Sequence, residues 1–131
     1  MSLRILVVER DLHARQGLRA ILSAEGHVVS LARDMWEGFA RISSQTFDLL
    51  LLDDDVRAER HVTLSVLDLL RFARQHHPGT SGVVISSFED DTQRYRAEPG
   101  VLAVLEKPVE VPRLRSYLEA LTLRPARRSL L

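Results

Sequence analysis

Short apolar runs alternate with amphipathic stretches along the chain. Ile5-Leu6-Val7-Val8, Leu49-Leu50-Leu51-Leu52, Val83-Val84-Ile85 and Val101-Leu102-Ala103-Val104-Leu105 are brief and uniformly apolar, the pattern of strands covered on both faces. A further run, His27 to Leu31, is more polar and suits a sheet edge. The intervening segments carry helical spacing. Ala14, Leu18, Ile21 and Leu22 form one face, closed by Gly26. Trp36, Phe39, Ala40 and Ile42 follow a capping Asp34, with Trp36 expected to be partly buried. Val66, Leu67, Leu70 and Ala73 lead to His77 and a Pro78-Gly79 stop. Val111, Leu114, Leu118 and Leu121 belong to a last helix opened by Pro112. Glu89 to Glu98 predicts a short, loosely packed helix, because Tyr95 is nearly its only large apolar residue. Asp54 to Thr63 reads as a polar connection.

Alternation of this kind predicts five βα units, hence an α/β domain with a parallel sheet and helices on both faces. The C-terminal ends of parallel strands share one edge, and sites lie in the crevice there. Glu9, Asp53, Ser86 and Lys107, scattered in sequence, are each expected at that edge. Gly79 and Gly82 fit neither nucleotide-binding fingerprint, which argues against a dinucleotide domain.

Composition narrows the classes further. At 131 residues the chain is expected to be one domain over 1–123, followed by a basic tail or linker stub over 124–131. The 18 basic and 18 acidic residues cancel, so no global field favours nucleic acid or a membrane surface. Arg124, Arg127 and Arg128 read as a solvated tail. Without cysteine there is no disulfide framework and no thiolate metal site, and a cytoplasmic setting is expected. His76 and His77 suit a helix C-terminus better than a metal; His13, His27 and His61 have no ligand-spaced companions.

Asp53 is the strongest candidate for a reactive group. A carboxylate becomes a phosphoryl acceptor when a cation manages its charge. Lys107 would neutralise the transferred oxygens and Ser86 could donate a hydrogen bond to them. The plainer reading makes Asp53, Asp54 and Asp55 a solvated turn; the company of Ser86 and Lys107 favours the reactive one.

The ILVV-Glu9 run, Arg15 with Leu18, the Phe47-Asp48-LLLL-Asp53 block, VVIS at 83–86 and Glu106-Lys107-Pro108 stand in order over roughly Leu3 to Leu123. In this the chain resembles the receiver domains of two-component response regulators. The resemblance implies a flavodoxin-like (βα)5 three-layer sandwich with strand order 2-1-3-4-5. It also implies magnesium-dependent phosphotransfer from a sensor histidine kinase to Asp53, with Ser86 as the hydroxyl residue and Lys107 as the lysine. Such a protein is a signalling domain and not an enzyme. Glu9, Asp53 and Asp55 would hold the metal.

Several positions depart from the family pattern. Receivers usually carry two acids after the first strand, and Arg10 stands in place of the second. A guanidinium cannot ligate magnesium, so Arg10 is expected to point at Asp53 or Glu9 and make metal binding weak or absent. Asp11 suits the N-cap of the first helix instead. The connection after Asp53 lacks the usual proline-glycine turn, and Val104 replaces an aromatic switch residue. Arg10, Asp54 and Val104 are therefore expected to modulate the site.

Three functions compete on this reading. The first is a receiver phosphorylated at Asp53. The second is a phosphorylation-independent receiver-like module that binds a signalling protein, with homodimerisation through the last two βα units open to either. The third is a haloacid-dehalogenase-like phosphatase, since Asp53 and Asp55 share the spacing of that family's first motif. The chain is expected to be a stand-alone regulator or a receiver cut from a longer protein.

Overall fold

The computed structural model describes residues 2–56, 64–87 and 92–123. The polar connection beyond Val56, the start of the segment from Glu89 and the tail 124–131 lie outside the described residues. Five strands and five helices alternate: β1 (Arg4–Val8), α1 (Leu12–Ala24), β2 (Val28–Ala32), α2 (Met35–Ser44), β3 (Leu49–Asp53), α3 (Val66–His76), β4 (Ser81–Ser86), α4 (Thr92–Ala97), β5 (Val101–Glu106) and α5 (Val111–Thr122). All strand pairs are parallel, and the order across the sheet is β2-β1-β3-β4-β5. This is the α/β, flavodoxin-like arrangement that the sequence implies. The more polar β2 lies at one edge, as its composition requires.

Strand alternation divides the core into two layers. Leu6, Val8, Leu50 and Leu52 face Met35, Ile42, Leu69, Leu70 and Ala73 of α2 and α3. Ile5, Val7, Leu49, Leu51, Val83 and Leu105 face Leu22, Leu114 and Leu118 of α1 and α5. Both faces of β1 and β3 are therefore dry, which explains why these strands read as unbroken apolar runs. A smaller cluster of Leu67, Val84, Tyr95 and Val104 seats α4. Tyr95 is the anchor of that short helix and is 4% exposed. Contrary to expectation, Trp36 projects outward and is 54% exposed.

The helix starts follow local chemistry. Asp11 caps α1 by accepting from the Ala14 amide, and Asp34 caps α2 by accepting from the Glu37 amide. Ser65 and Asp68 form a capping box at α3, a Ser-x-x-acid signal present in the sequence. Gly26 ends α1 with φ +91°, a backbone region open to glycine without strain.

Candidate functional site

The chain moves from β1 to β2 on one side and then to β3 on the other, so the C-terminal ends of β1 and β3 flank a topological switch point. Glu9 follows β1 directly, Asp53 is the last residue of β3, Ser86 the last of β4, and Lys107 follows β5. The four residues expected at one sheet edge are all there.

Asp53 is 1% exposed. Its Oδ2 accepts from Lys107 Nζ at 2.8 Å, and its Oδ1 accepts from the Asp55 amide at 2.9 Å. Lys107 Nζ also donates to Asp55 Oδ2 at 2.8 Å, so a single ammonium bridges two carboxylates. Burial alone would lower the Lys107 pKa, but the hydrogen bonds it donates to Asp53 and Asp55, and their charges, outweigh it. The ammonium pKa is held above its ordinary range.

Glu9 is buried behind this pair. Its Oε2 accepts from the Asp11 amide at 3.2 Å, and its own amide donates to the Ala32 carbonyl. Burial, helped by a shared hydrogen bond with Asp53, raises its pKa from 4.5 to about 7. The loop that carries it is clamped by Arg15, whose guanidinium donates to the Glu9 carbonyl at 2.8 Å and to the Arg10 carbonyl at 3.1 Å.

Arg10 is not where the sequence reading places it. Its side chain is exposed, and neither Glu9 nor Asp53 has an ion pair with it among the described residues. The physical reason is that Lys107 already supplies the cation at Asp53. Turning Arg10 inward would cost the desolvation of a second cation beside it.

Ser86 and Asp54 are joined to each other. Ser86 Oγ donates to Asp54 Oδ2 at 2.7 Å, and the Tyr95 hydroxyl donates to the same oxygen at 3.3 Å. Asp54 is thus no solvated turn residue but is 6% exposed. Among the described residues its Oδ1 is buried without a hydrogen-bond partner. Val104 lies in the same buried cluster as Tyr95 of α4. The sequence signal for this was the isolation of Tyr95: a polar helix with one large apolar residue must bury that residue to dock at all.

Carboxylate oxygens of Asp53, Asp54 and Asp55 lie within 4.8 Å of one another, with Glu9 adjoining Asp53. These are hard oxygen donors of the type magnesium takes. The Glu9 pKa is raised chiefly by burial, and the neighbouring Asp53 charge adds to it. Beside the site, Asp11, Leu18, Ile21, Ile85, Pro108 and Val109 line an open, largely apolar groove of about 660 Å³ with Glu9 and Lys107 at its rim.

The sequence matches the family described as the response regulator receiver domain over residues 5–119. The chain belongs to the response-regulator receiver family. As a receiver it is a signalling domain of two-component systems, a class that typically binds magnesium, and the acidic cluster suits that ion. It is 33% identical over 126 residues to the response regulator MprA of Mycobacterium tuberculosis, covering 92% of this chain and 51% of that protein. It is 32% identical over 112 residues to a response regulator receiver protein of Anaeromyxobacter sp. strain Fw109-5, covering 85% of this chain and 45% of that protein. The chain therefore spans about half the length of the curated relatives it matches. In fold it is similar to a CheY-like receiver domain protein from Methanospirillum hungatei JF-1. That likeness has a TM-score of 0.76 at 26% identity and covers 91% of this chain and 93% of the other. No helix among the described residues is long and apolar enough to cross a membrane.

Proposed function

We propose that this receiver accepts a phosphoryl group on Asp53 from a phosphohistidine of a sensor kinase. The observation that carries the proposal is the position of Asp53. It is a buried carboxylate at the switch point, fixed by the Asp55 amide and met by the Lys107 ammonium. In the transfer, a carboxylate oxygen of Asp53 forms a bond to phosphorus while the bond from phosphorus to the donor imidazole nitrogen breaks. The imidazole leaves with the electron pair of that bond and regains a proton. The phosphoryl group brings about two negative charges at neutral pH. Lys107 neutralises part of that charge without moving far, because it already lies 2.8 Å from Asp53. A kinase delivering a phosphohistidine beside Lys107 would lay a helix into the apolar groove along α1, which opens onto the same rim.

Glu9, Asp53 and Asp55 are the residues that would hold magnesium. Bound there, the ion would draw charge from the transferred oxygens and align them for in-line displacement. We propose that its affinity is low, for a reason other than the one first expected. Arg10 contributes by failing to supply a carboxylate. The larger obstacles are that Glu9 holds a proton up to about pH 7 and that Lys107 already bridges Asp53 and Asp55.

The same bridge favours a second reading, in which the domain signals through a partner without phosphorylation. An acceptor already neutralised by Lys107 and a Ser86 already held by Asp54 are the features that support it. The match to the receiver family over residues 5–119 weighs against a haloacid-dehalogenase-like phosphatase. Incubation with radiolabelled acetyl phosphate and magnesium separates the two that remain. Label retained by wild type and lost in Asp53→Asn supports phosphotransfer; an unlabelled wild type favours the phosphorylation-independent module.

A further inference from the structure

Arg74 lies in the last turn of α3 and is half-buried against the turn that leads into β5. A Cβ built on Gly100 would stand 2.6 Å from Arg74 Cδ and 2.8 Å from its Nε, so only glycine lets the guanidinium lie there. Gly100 also has φ +92°, a conformation that larger residues adopt with strain. One guanidinium nitrogen, Nη1, donates to the Thr80 carbonyl at 2.6 Å. Nε and Nη2 form the edge that grips an oxyanion with two parallel bonds, and they donate to nothing among the described residues. Arg74 has no carboxylate partner among them either. Asp68 and Glu98 are both paired with Arg71.

Arg74 lines a cavity of about 220 Å³ at the start of β4 and β5, the opposite end of those strands from Ser86 and Lys107. No carboxylate is among the described residues that line it. Ser81 follows the carbonyl that Arg74 holds, and it is 3% exposed. Its hydroxyl has no hydrogen-bond partner among the described residues, although a buried polar group ordinarily finds one. The Gly79 and Gly100 amides, on the same walls, are likewise without an acceptor. Beside them the β4–β5 register slips: Gly82 faces Val101 and Val83 faces Ala103, so Leu102 has no partner across the strands. Compensation of the helix dipole accounts for a cation at this place. It does not account for a vacant two-bond edge beside an unmet buried hydroxyl.

We propose that this cavity binds a phosphate group, either free or as a monoester of a small solute, independently of Asp53. A phosphate has oxygens enough for every donor, two for the Arg74 edge and others for Ser81 and the glycine amides. A carboxylate has only two oxygens, and the Arg74 edge would take both.

Titration of the intact, isotope-labelled chain with inorganic phosphate, and separately with glycerol phosphate, tests the site by NMR at constant ionic strength. Saturable shifts are expected at the Gly79, Ser81 and Gly100 amides and at Arg74 Nε–H. Equal affinity for the two ligands assigns the site to the phosphate group alone, whereas tighter binding of the ester assigns it to a phosphorylated solute. Arg74→Lys keeps the charge but loses the two-bond edge, and should weaken binding at least about ten-fold. Ser81→Ala removes one hydroxyl and should weaken it about three- to ten-fold. Acetate should bind at least about ten-fold more weakly than phosphate. Shifts no larger than those caused by chloride, or saturable shifts at Glu9 and Lys107 in place of the cavity, would overturn the proposal. So would equal affinity in Arg74→Lys and wild type, or acetate binding as tightly as phosphate.

Discussion

Lys107 and Asp53 are 54 residues apart in sequence, yet the lysine ammonium lies 2.8 Å from a carboxylate that is 1% exposed. The contact exists because parallel strands deliver their ends to one edge, so that β3 and β5 meet across the last residue of β4. Asp53 is charged at a place where charge is costly, and Lys107 is what makes it tolerable.

Removing the lysine should therefore expose that cost. Lys107→Met keeps the apolar stem but leaves Asp53 facing Glu9 and Asp55 without a cation. The expected loss is about 1.5–3 kcal/mol of unfolding free energy, the range for a hydrogen bond to a charged group. Urea denaturation at neutral pH measures it. Phosphorylation by acetyl phosphate should fall at least about ten-fold in the same variant, since a loss of 1.4 kcal/mol from the transition state is a factor of ten.

Glu9 gives the domain a pH dependence whose sign can be worked out. Its pKa rises from 4.5 to about 7 on folding, so the folded state holds a proton that the unfolded state has released. The stability linked to it is fully present below pH 4.5 and is lost as pH rises through about 7. Glu9→Gln removes the titration. Measured without divalent cation, the variant should gain on wild type as pH rises from 5 to 8. The differential should be on the order of 3 kcal/mol, as expected for a shift of this size. A constant difference between the two proteins across that range would show that Glu9 does not titrate there.

Magnesium affinity should follow the same group in the opposite direction. Binding requires the Glu9 carboxylate, so calorimetry should show affinity rising between pH 6 and 8 with release of protons. Arg10→Asp should strengthen binding by only about three- to ten-fold, because an exposed charge acts through a high dielectric. A gain of several orders of magnitude would mean that position 10 does reach the metal, as the sequence alone suggests.

Much of this was legible before any coordinates. Strands buried on both faces carry apolar runs, so the first charged or hydroxylated position marks where each one ends: this marks Glu9, Asp53 and Ser86 directly, and Lys107 one residue beyond Glu106. Helix caps such as Asp11 and Asp34 act within one turn and were equally readable. The direction of Arg10 was not, because a long side chain next to a loop chooses between solvent and site according to what else occupies the site. The sequence does not say that Lys107 saturates Asp53. The partnership of Asp54 with Ser86 and Tyr95 was hidden for a similar reason, since it joins three elements through side chains 32 and 41 positions apart. Trp36 misled because a helical apolar stripe fixes which face is buried but not how far the stripe extends past the core.

The central claim is that Asp53 carries the phosphoryl group. It is tested most directly by treating the protein with acetyl phosphate and magnesium, reducing the acyl phosphate with borohydride and mapping the resulting homoserine by peptide mass spectrometry. The account predicts homoserine at position 53 in wild type and in Asp54→Asn, and none anywhere in Asp53→Asn. Homoserine at position 54 or 55 with Asp53 unmodified, or reduction that persists in Asp53→Asn, would contradict it.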